Sequence, residues 1–240
     1  MKKVLALFCT LACVTHYSSA ANISTLQLVT QSEFRILSED LGSALSYKPL
    51  APAEPLGVTG FDLGLVVSST DISRSSQIWS RATGGGEEIS KVYVPKLQIS
   101  KGLPLNLDIG AFYSKIPSTN ISVYGGELRY AIIGGGVAMP AVSIRGAITK
   151  LKGVTQLDLD TKSVDISVSK GFVMFTPYAG VGRVWVDSTP SAATGITEEK
   201  FNQSKVFVGA NLNFGLFNMA LEGDKTGEAK SYSAKLGFRF

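Results

Sequence analysis

The ten residues from Ser231 to Phe240, SYSAKLGFRF, alternate without a break. Tyr232, Ala234, Leu236, Phe238 and Phe240 share one parity; Ser231, Ser233, Lys235, Gly237 and Arg239 share the other. Successive side chains of a strand point to opposite faces, so this stretch is a strand with one apolar, aromatic face and one polar, charged face. The edge strand of a soluble sandwich has the same pattern. Two things separate the alternatives: whether the alternation recurs along the chain, and whether the chain is exported.

The first residues read as an export signal. Lys2 and Lys3 precede the apolar stretch Val4 to Val14, which is too short to span a bilayer as a helix. Ser18-Ser19-Ala20 supplies the small residues needed for cleavage before Ala21. Residues 1–20 are expected to be removed, leaving about 220 of the 240 residues, enough for one barrel. Cys13, in the context Thr10-Leu11-Ala12, offers a rival lipoprotein route, although a lipobox wants Leu where Thr10 stands. Loss of the signal removes Cys9, Cys13 and the only histidine, His16. No disulfide, thiolate nucleophile or Cys metal site is then expected, nor any cofactor. Without Lys2 and Lys3 the formal charge falls from +4 to +2, which argues against a nucleic-acid partner. No later apolar run has the length of a membrane helix. A membrane-integral form must therefore be a closed barrel, the other fold that satisfies its backbone groups in lipid.

Residues 21–56 form a separate N-terminal segment. From Ser32 to Lys48, Phe34, Leu37, Leu41, Ala44 and Leu45 recur at helical spacing, with Glu33, Arg35, Glu39, Asp40 and Lys48 on the other side. Ser32 is the expected N-cap, and Glu33 suits the positive end of the helix dipole. Gly42 weakens the helix by about 1 kcal/mol relative to Ala. Pro49, Pro52 and Pro55 end it and predict a stiff, extended tether. The helix belongs either in the lumen as a plug or at the periplasmic face.

Residues 57–240 read as ten strands. The first, about 58–69, places Phe61, Leu63, Leu65 and Val67 on one face and Asp62 on the other. In the second, about 90–101, Tyr93, Leu97 and Ile99 face out while Lys96, Gln98 and Ser100 face in. The third, about 104–114, sets Ile109 and Tyr113 against Asp108. The fourth, about 120–132, and the sixth, within 154–170, switch parity between their halves: Ile121 and Val123 against Leu128 and Tyr130, Leu157 and Leu159 against Val164 and Ile166. A bulge at Gly125-Gly126 is the expected cause in the fourth. The fifth, about 139–151, turns Arg145 inward. The seventh, about 173–187, is assigned Arg183 and Asp187 inward and Tyr178, Val184 and Val186 outward, with Ala179 and Val181 competing for the outer face. A II′ turn at Gly215-Leu216 joins the eighth and ninth, setting Phe214 opposite Phe217 and Asn213 opposite Asn218. Connections near 102, 135, 171 and 215 are short; those at about 70–89, 114–119, 151–156, 187–202 and 223–229 are mostly longer and polar. That strict alternation is the barrel rule of short periplasmic turns and long outer loops.

With this pattern in place, the terminal strand resembles the assembly signal of Gram-negative outer-membrane β-barrels, carried here by Tyr232, Phe238 and Phe240. The stretch YKPLAPAEPLGVTGFDLG, residues 47–64, resembles one that precedes the first strand in uncharacterised proteobacterial outer-membrane proteins. The first resemblance implies an all-β, transmembrane, up-and-down antiparallel barrel. It also implies a place in the outer membrane, contact with its lipid and lipopolysaccharide, and insertion by the outer-membrane assembly machinery. Neither implies an activity.

The inward parity carries the chemistry. Asp62, Asp108, Glu127, Asp165 and Glu222 face Lys96, Arg129, Arg145, Arg183, Lys235 and Arg239. A ten-strand barrel is narrow, so these charges need partners or water. They line either a small polar channel for an unidentified small solute, gated by the N-terminal helix, or a closed, salt-bridged lumen in a barrel that acts through its loops. Barrel hydrolases of the outer membrane use a histidine base, and the mature chain has none. Ser233 with Lys235 is the residual nucleophile–base pair, and no enzyme activity is expected. In the 70–89 loop, Trp79 between Arg74 and Arg81 is a candidate for a sugar, a lipopolysaccharide phosphate or a protein partner; its other reading is an interfacial aromatic. Thr83 to Gly86 is a flexible tip and not a phosphate loop.

Overall fold

A computed structural model describes residues 23–116 and 119–240. The expected signal and its cleavage site lie outside the described residues. Ten antiparallel strands close into a barrel in up-and-down order: β1 (Phe61–Asp71), β2 (Lys91–Leu103), β3 (Leu107–Lys115), β4 (Ser122–Gly134), β5 (Ala141–Lys152), β6 (Leu157–Ser169), β7 (Phe175–Pro190), β8 (Glu199–Phe214), β9 (Phe217–Thr226) and β10 (Ala229–Arg239). The seam pairs β1 with β10, setting Leu63 opposite Phe238 and Val67 opposite Ala234, and leaves no free edge. Across it Lys235 reaches the Asp62 carboxylate at 2.8 Å. The β8–β9 hairpin has the register read from its turn: Phe214 opposite Phe217, Asn213 opposite Asn218, with φ +64° at Gly215.

The outer face is greasy. Leu65, Val208 and Leu221 are 62–69% exposed, which in water would be an unusual concentration of apolar surface. Phe61, Phe175, Phe214, Phe217, Phe238 and Phe240 cluster at the short-turn end. Tyr93, Tyr113, Tyr124, Trp185 and Tyr232 stand toward the loop end. An apolar band between two aromatic girdles is the surface a barrel turns to lipid. Phe240 stacks on Phe61 with centroids 5.7 Å apart, and Phe238 meets Phe217 at 5.2 Å, so the terminal aromatics complete the short-turn girdle across the seam. β7 and β8 run 16 residues each, longer than the 9–11 or so that a tilted strand needs to cross the membrane, and they project beyond it on the loop side.

Three expectations about facing are corrected. β4 keeps one parity throughout: Ile121 and Val123 are buried inside while Leu128 and Tyr130 face out. The register shift in β4 lies at Ala131/Ile133, not at Gly125-Gly126. In β6, Leu157 and Leu159 likewise point inward on an uninterrupted parity. β7 is reversed: Tyr178, Val184 and Val186 are inside, Val181 and Trp185 outside, and Arg183 is on the outer face. The cause is common to all three. The loop-end half of the lumen is itself apolar, because a helix fills it.

That helix is α1 (Gln31–Leu45). Its N-cap is Thr30, not Ser32. Thr30 lies three residues before Glu33 and forms a capping box with it, the Thr30 N–H donating to Glu33 Oε2 at 3.0 Å. Phe34, Leu37, Leu41 and Leu45 pack against the inward Ile121, Val123, Leu157, Leu159, Val184 and Val186 in one cluster. Burying each of those four helix side chains contributes about 1.5–3 kcal/mol. Asp40 and Lys48, expected on a solvated side, are buried too, since walls surround the segment. Gly42 has a packing reason. A Cβ there would lie 2.7 and 2.9 Å from the two methyls of Val186. Gly42→Ala should therefore lower the unfolding midpoint in detergent. The overpacking cost of about 1–3 kcal/mol exceeds the helix-propensity gain of about 1 kcal/mol. A raised midpoint would show the contact to be slack.

Candidate functional site

The segment from Ile23 to Gly60 runs the length of the lumen. At the loop end, the Ser24 and Thr25 N–H groups donate to the Ala82 carbonyl at 3.1 and 3.0 Å, and the Leu26 N–H donates to Gln156 Oε1 at 2.8 Å. α1 then descends between the walls, with Ser38 Oγ 2.8 Å from Ser188 Oγ on β7. At the turn end the Leu56 N–H donates to Asp108 Oδ1 at 3.0 Å, and the chain enters β1.

Below α1 the tether is extended but not a regular polyproline helix, because Leu50 has φ +45°. Three prolines leave it few donors, and the residue after each proline donates to the wall. Leu50 N–H goes to Glu222 Oε2 (3.0 Å), Ala53 N–H to Ser169 Oγ (3.0 Å), and Leu56 N–H to Asp108. Its carbonyls are taken in the same way. Lys205 donates to Tyr47 O, Gln98 to Pro49 O (3.1 Å) and Arg129 to Pro52 O. Strands β2, β3, β4, β6, β8 and β9 therefore each hold the segment by a side chain.

The inward charges are paired around it. Arg129 meets Asp108 at 2.6 Å, and Arg145 bridges Asp165 (2.7 Å) and Glu127 (3.2 Å). Lys235 holds Asp62 at 2.8 Å. Glu222 also accepts from the Tyr178 hydroxyl at 3.0 Å. Lys96 is buried with its Nζ 5.1 Å from the Phe112 ring centroid. Arg239 is half-buried, and its buried Nη1 has no hydrogen-bond partner. Arg183 is separate from this group. It donates to Asn202 Oδ1 at 3.1 Å on the outer wall. Two buried wall residues that sequence reasoning missed complete the set. Asp224 pairs with Lys48 of the tether at 2.8 Å, and Lys205 reaches Tyr47. Lys205 lies on the inward parity with Gln203 and Phe207, and Asp224 two residues after Glu222, so continuing each strand's parity would have found both.

The Ser233–Lys235 pair is not assembled as a nucleophile and base. Ser233 Oγ donates to Ser68 Oγ at 2.8 Å, and Lys235 is bound to Asp62. The Trp79 site also dissolves. Trp79, in α2 (Ser76–Ala82), is 7% exposed and belongs to the core around α1. Its flanking arginines grip the plug: Arg74 meets Glu39 and Asp40, both at 2.9 Å, and Arg81 pairs with Glu33. An arginine-flanked aromatic in a loop reads as a ligand site only while the acidic helix beneath it is out of view.

A closed cylinder with a lipid-facing belt, girdled by aromatics and entered by no membrane-length helix among the described residues, defines an integral outer-membrane β-barrel. No family profile and no curated protein matches the chain. Solved structures similar to it are outer-membrane proteins. They include the N-terminal barrel domain of OprF from Pseudomonas aeruginosa (12% identity, TM-score 0.38, covering 77% of this chain and 99% of that one). The translocator domain of the autotransporter NalP from Neisseria meningitidis is another (10%, 0.37, 93% and 99%). Neisserial surface protein A is a third (11%, 0.33, 75% and 95%).

Two outcomes follow from this geometry. Arg129→Ala should cost about 3–5 kcal/mol, read as a lower unfolding midpoint in detergent, because it leaves the Asp108 carboxylate buried without its cation. At the loop-end mouth, the hydrogen bond from Arg81 holds the Glu33 carboxyl down, from 4.5 to about 2, with the Thr30 N–H adding to it. A depressed carboxyl stabilises the cap above pH 4.5 and loses that contribution as pH falls through about 2. Hydrogen-exchange protection in the first turn of α1, relative to the intrinsic rate at each pH, should fall over that window. Arg81→Gln should shift the onset to higher pH.

Proposed function

We propose that this protein is an outer-membrane barrel that works at its loop-side face, with a lumen kept shut by its own N-terminal segment. The observation that carries this reading is the run of residues 31–56 through the lumen, fastened to the wall by side chains of eight strands. Ion conduction needs a continuous water path, and most of the inward charges that would line one, Lys96 and Arg239 apart, are engaged with each other and with the plug. What the barrel offers outward is a cap. It is built from residues 23–30, the 72–90 loop with α2, and the connections at 153–156 and 191–198, tied together through Ala82, Gln156, Thr197 and Glu199. Its contacts with other molecules, lipopolysaccharide among them, are made there and along the belt. The proposal includes loss of residues 1–20 on export and insertion by the assembly machinery, with Tyr232, Phe238 and Phe240 as its recognition residues. It contains no catalytic step.

A gated channel is the second reading, and one observation favours it. Apart from the buried Tyr47 and Leu50 side chains, the tether from Tyr47 to Leu56 is held by polar contacts that water can replace on release, each worth about 0.5–1.5 kcal/mol net, or about 1.5–3 kcal/mol where one partner is charged. If that half of the plug lets go, Lys96, Glu222 and Lys235 line a small passage.

Planar-bilayer recording separates the two. The intact barrel should give no conductance steps, and deletion of residues 23–56 should produce them. Stable ohmic steps from the intact protein would overturn the closed reading in favour of the channel. Orientation has its own check. The two cysteines of the chain, Cys9 and Cys13, fall in the expected signal. A Ser24→Cys variant should therefore react with a membrane-impermeant maleimide on intact cells. Labelling only after the outer membrane is permeabilised would place the cap on the wrong side.

A further inference from the structure

The reversed facing of β7 leaves a charged cluster on the outer wall. Arg183 and Trp185 on β7, Lys162 on β6 and Asn202 on β8 all point outward, with Trp185 opposite both Lys162 and Asn202 in the ladders. Lys162, Trp185 and Asn202 line a cleft of about 380 Å³ together with Asp160, Asp187 and Lys200, and Arg183 joins its edge through its hydrogen bond to Asn202. The carboxylates are already occupied: Asp160 pairs with Lys150 at 3.1 Å and Asp187 with Lys200 at 3.6 Å. Two cations have no anion among the described residues. Arg183 touches only the neutral Asn202 oxygen, and Lys162 makes no ion pair or hydrogen bond.

Their height on the wall matters. Arg183 stands opposite Val164 and one outward step above Val181, which is 59% exposed and belongs to the lipid-facing belt. Trp185 is the next outward residue on β7, 44% exposed. An arginine on the lipid face costs about 2–4 kcal/mol at the midplane and about 0–1 near the interface, so this position matches the headgroup layer of the loop-side leaflet. A planar guanidinium and an ammonium beside an interfacial indole suit a phosphate attached to a sugar. The guanidinium and ammonium take the oxyanion, and the indole covers the apolar face of the ring. We infer that Lys162, Arg183, Trp185 and Asn202 form a docking site on the outer wall for the phosphorylated headgroup of a glycolipid in the loop-side leaflet.

The site is tested with the full-length barrel in a neutral detergent, with lipid A as the probe and retention read by native mass spectrometry. Wild type should retain lipid A and lose most of that retention when the lipid is dephosphorylated. The Lys162→Ala, Arg183→Ala double variant should bind lipid A about tenfold or more weakly, the loss expected from removing charge-assisted contacts. Both side chains point away from the lumen, and heat-modifiable migration on gels verifies that the variant is folded. A control double variant, Lys152→Ala with Lys230→Ala, removes the same formal charge elsewhere and should bind like wild type. Equal losses in the two double variants would overturn the site in favour of general attraction to a positive barrel. Unchanged binding after dephosphorylation would remove the phosphate from the assignment. Inorganic phosphate alone binding as tightly as lipid A would make it a free-anion site and not a lipid one. Arg183→Gln alone should lose part of the affinity, and no loss would place the phosphate elsewhere.

Discussion

Where neighbouring strands pair, the backbone amides and carbonyls of the barrel wall are committed to the ladder that closes it, so nothing crossing the lumen is bound as an eleventh strand. Only side chains are left to hold it. The tether between α1 and β1 needs this more than most segments. Its prolines remove donors, and its extended path allows no internal hydrogen bonds to replace them. The inward acids, amides and bases of the wall therefore act as a sheath for a peptide. Glu222 and Asp108 accept backbone N–H groups, and Gln98, Lys205 and Arg129 donate to carbonyls. Leu50 can be held at positive φ because its N–H is fixed by Glu222 and its side chain is fully buried beside Val66 and Ala220.

The same constraint splits the lumen into two zones. In the loop-end half α1 satisfies its own backbone, so the wall there needs only apolar surface and supplies it with Ile121, Val123, Leu157, Leu159, Val184 and Val186. In the turn-end half the chain cannot satisfy itself, and the wall becomes charged. The break between zones falls where the helix stops, at Leu45, just ahead of Pro49.

That division explains what the sequence reveals and what it hides. The barrel, its strand count, the Gly215 hairpin and the helical spacing of Phe34, Leu37, Leu41 and Leu45 are all legible, because each follows from a local period. The strict alternation of short and long connections is not kept, since residues 227–228 alone join β9 to β10 at the loop end while 135–140 join β4 to β5 at the turn end. The facing of β4, β6 and β7 at their loop ends is not. Apolar residues mark the lipid side only if the lumen is polar, and here a second apolar phase lies inside the sheet. Val184 and Val186 look like lipid-facing residues until α1 is known to lie against them, and Arg183 is then assigned inward by default. The available signal was the helix itself. An amphipathic helix beside a narrow barrel needs an apolar partner, and the out-of-phase apolar residues of β4 and β6 and the competing faces of β7 were that partner. Trp79 misleads for the same reason, since Glu33, Glu39 and Asp40, which use its flanking arginines, are distant in sequence.

The two zones also differ in how firmly they hold. Four large apolar side chains of α1 contribute about 1.5–3 kcal/mol apiece, and they cannot be replaced by water. The tether's hydrogen bonds, about 0.5–1.5 kcal/mol each or about 1.5–3 kcal/mol to a charged group, are more easily exchanged, because released groups are rehydrated. Buried ion pairs such as Lys48–Asp224 oppose desolvation to attraction and come close to cancelling. Motion of the plug should therefore begin at the turn end and stop at the helix. The prolines moderate this release, because a stiff extended segment gains little conformational freedom when it leaves. The part of the chain at the loop end is anchored by apolar packing, and the part at the turn end is held by contacts that a change in its aqueous surroundings can loosen.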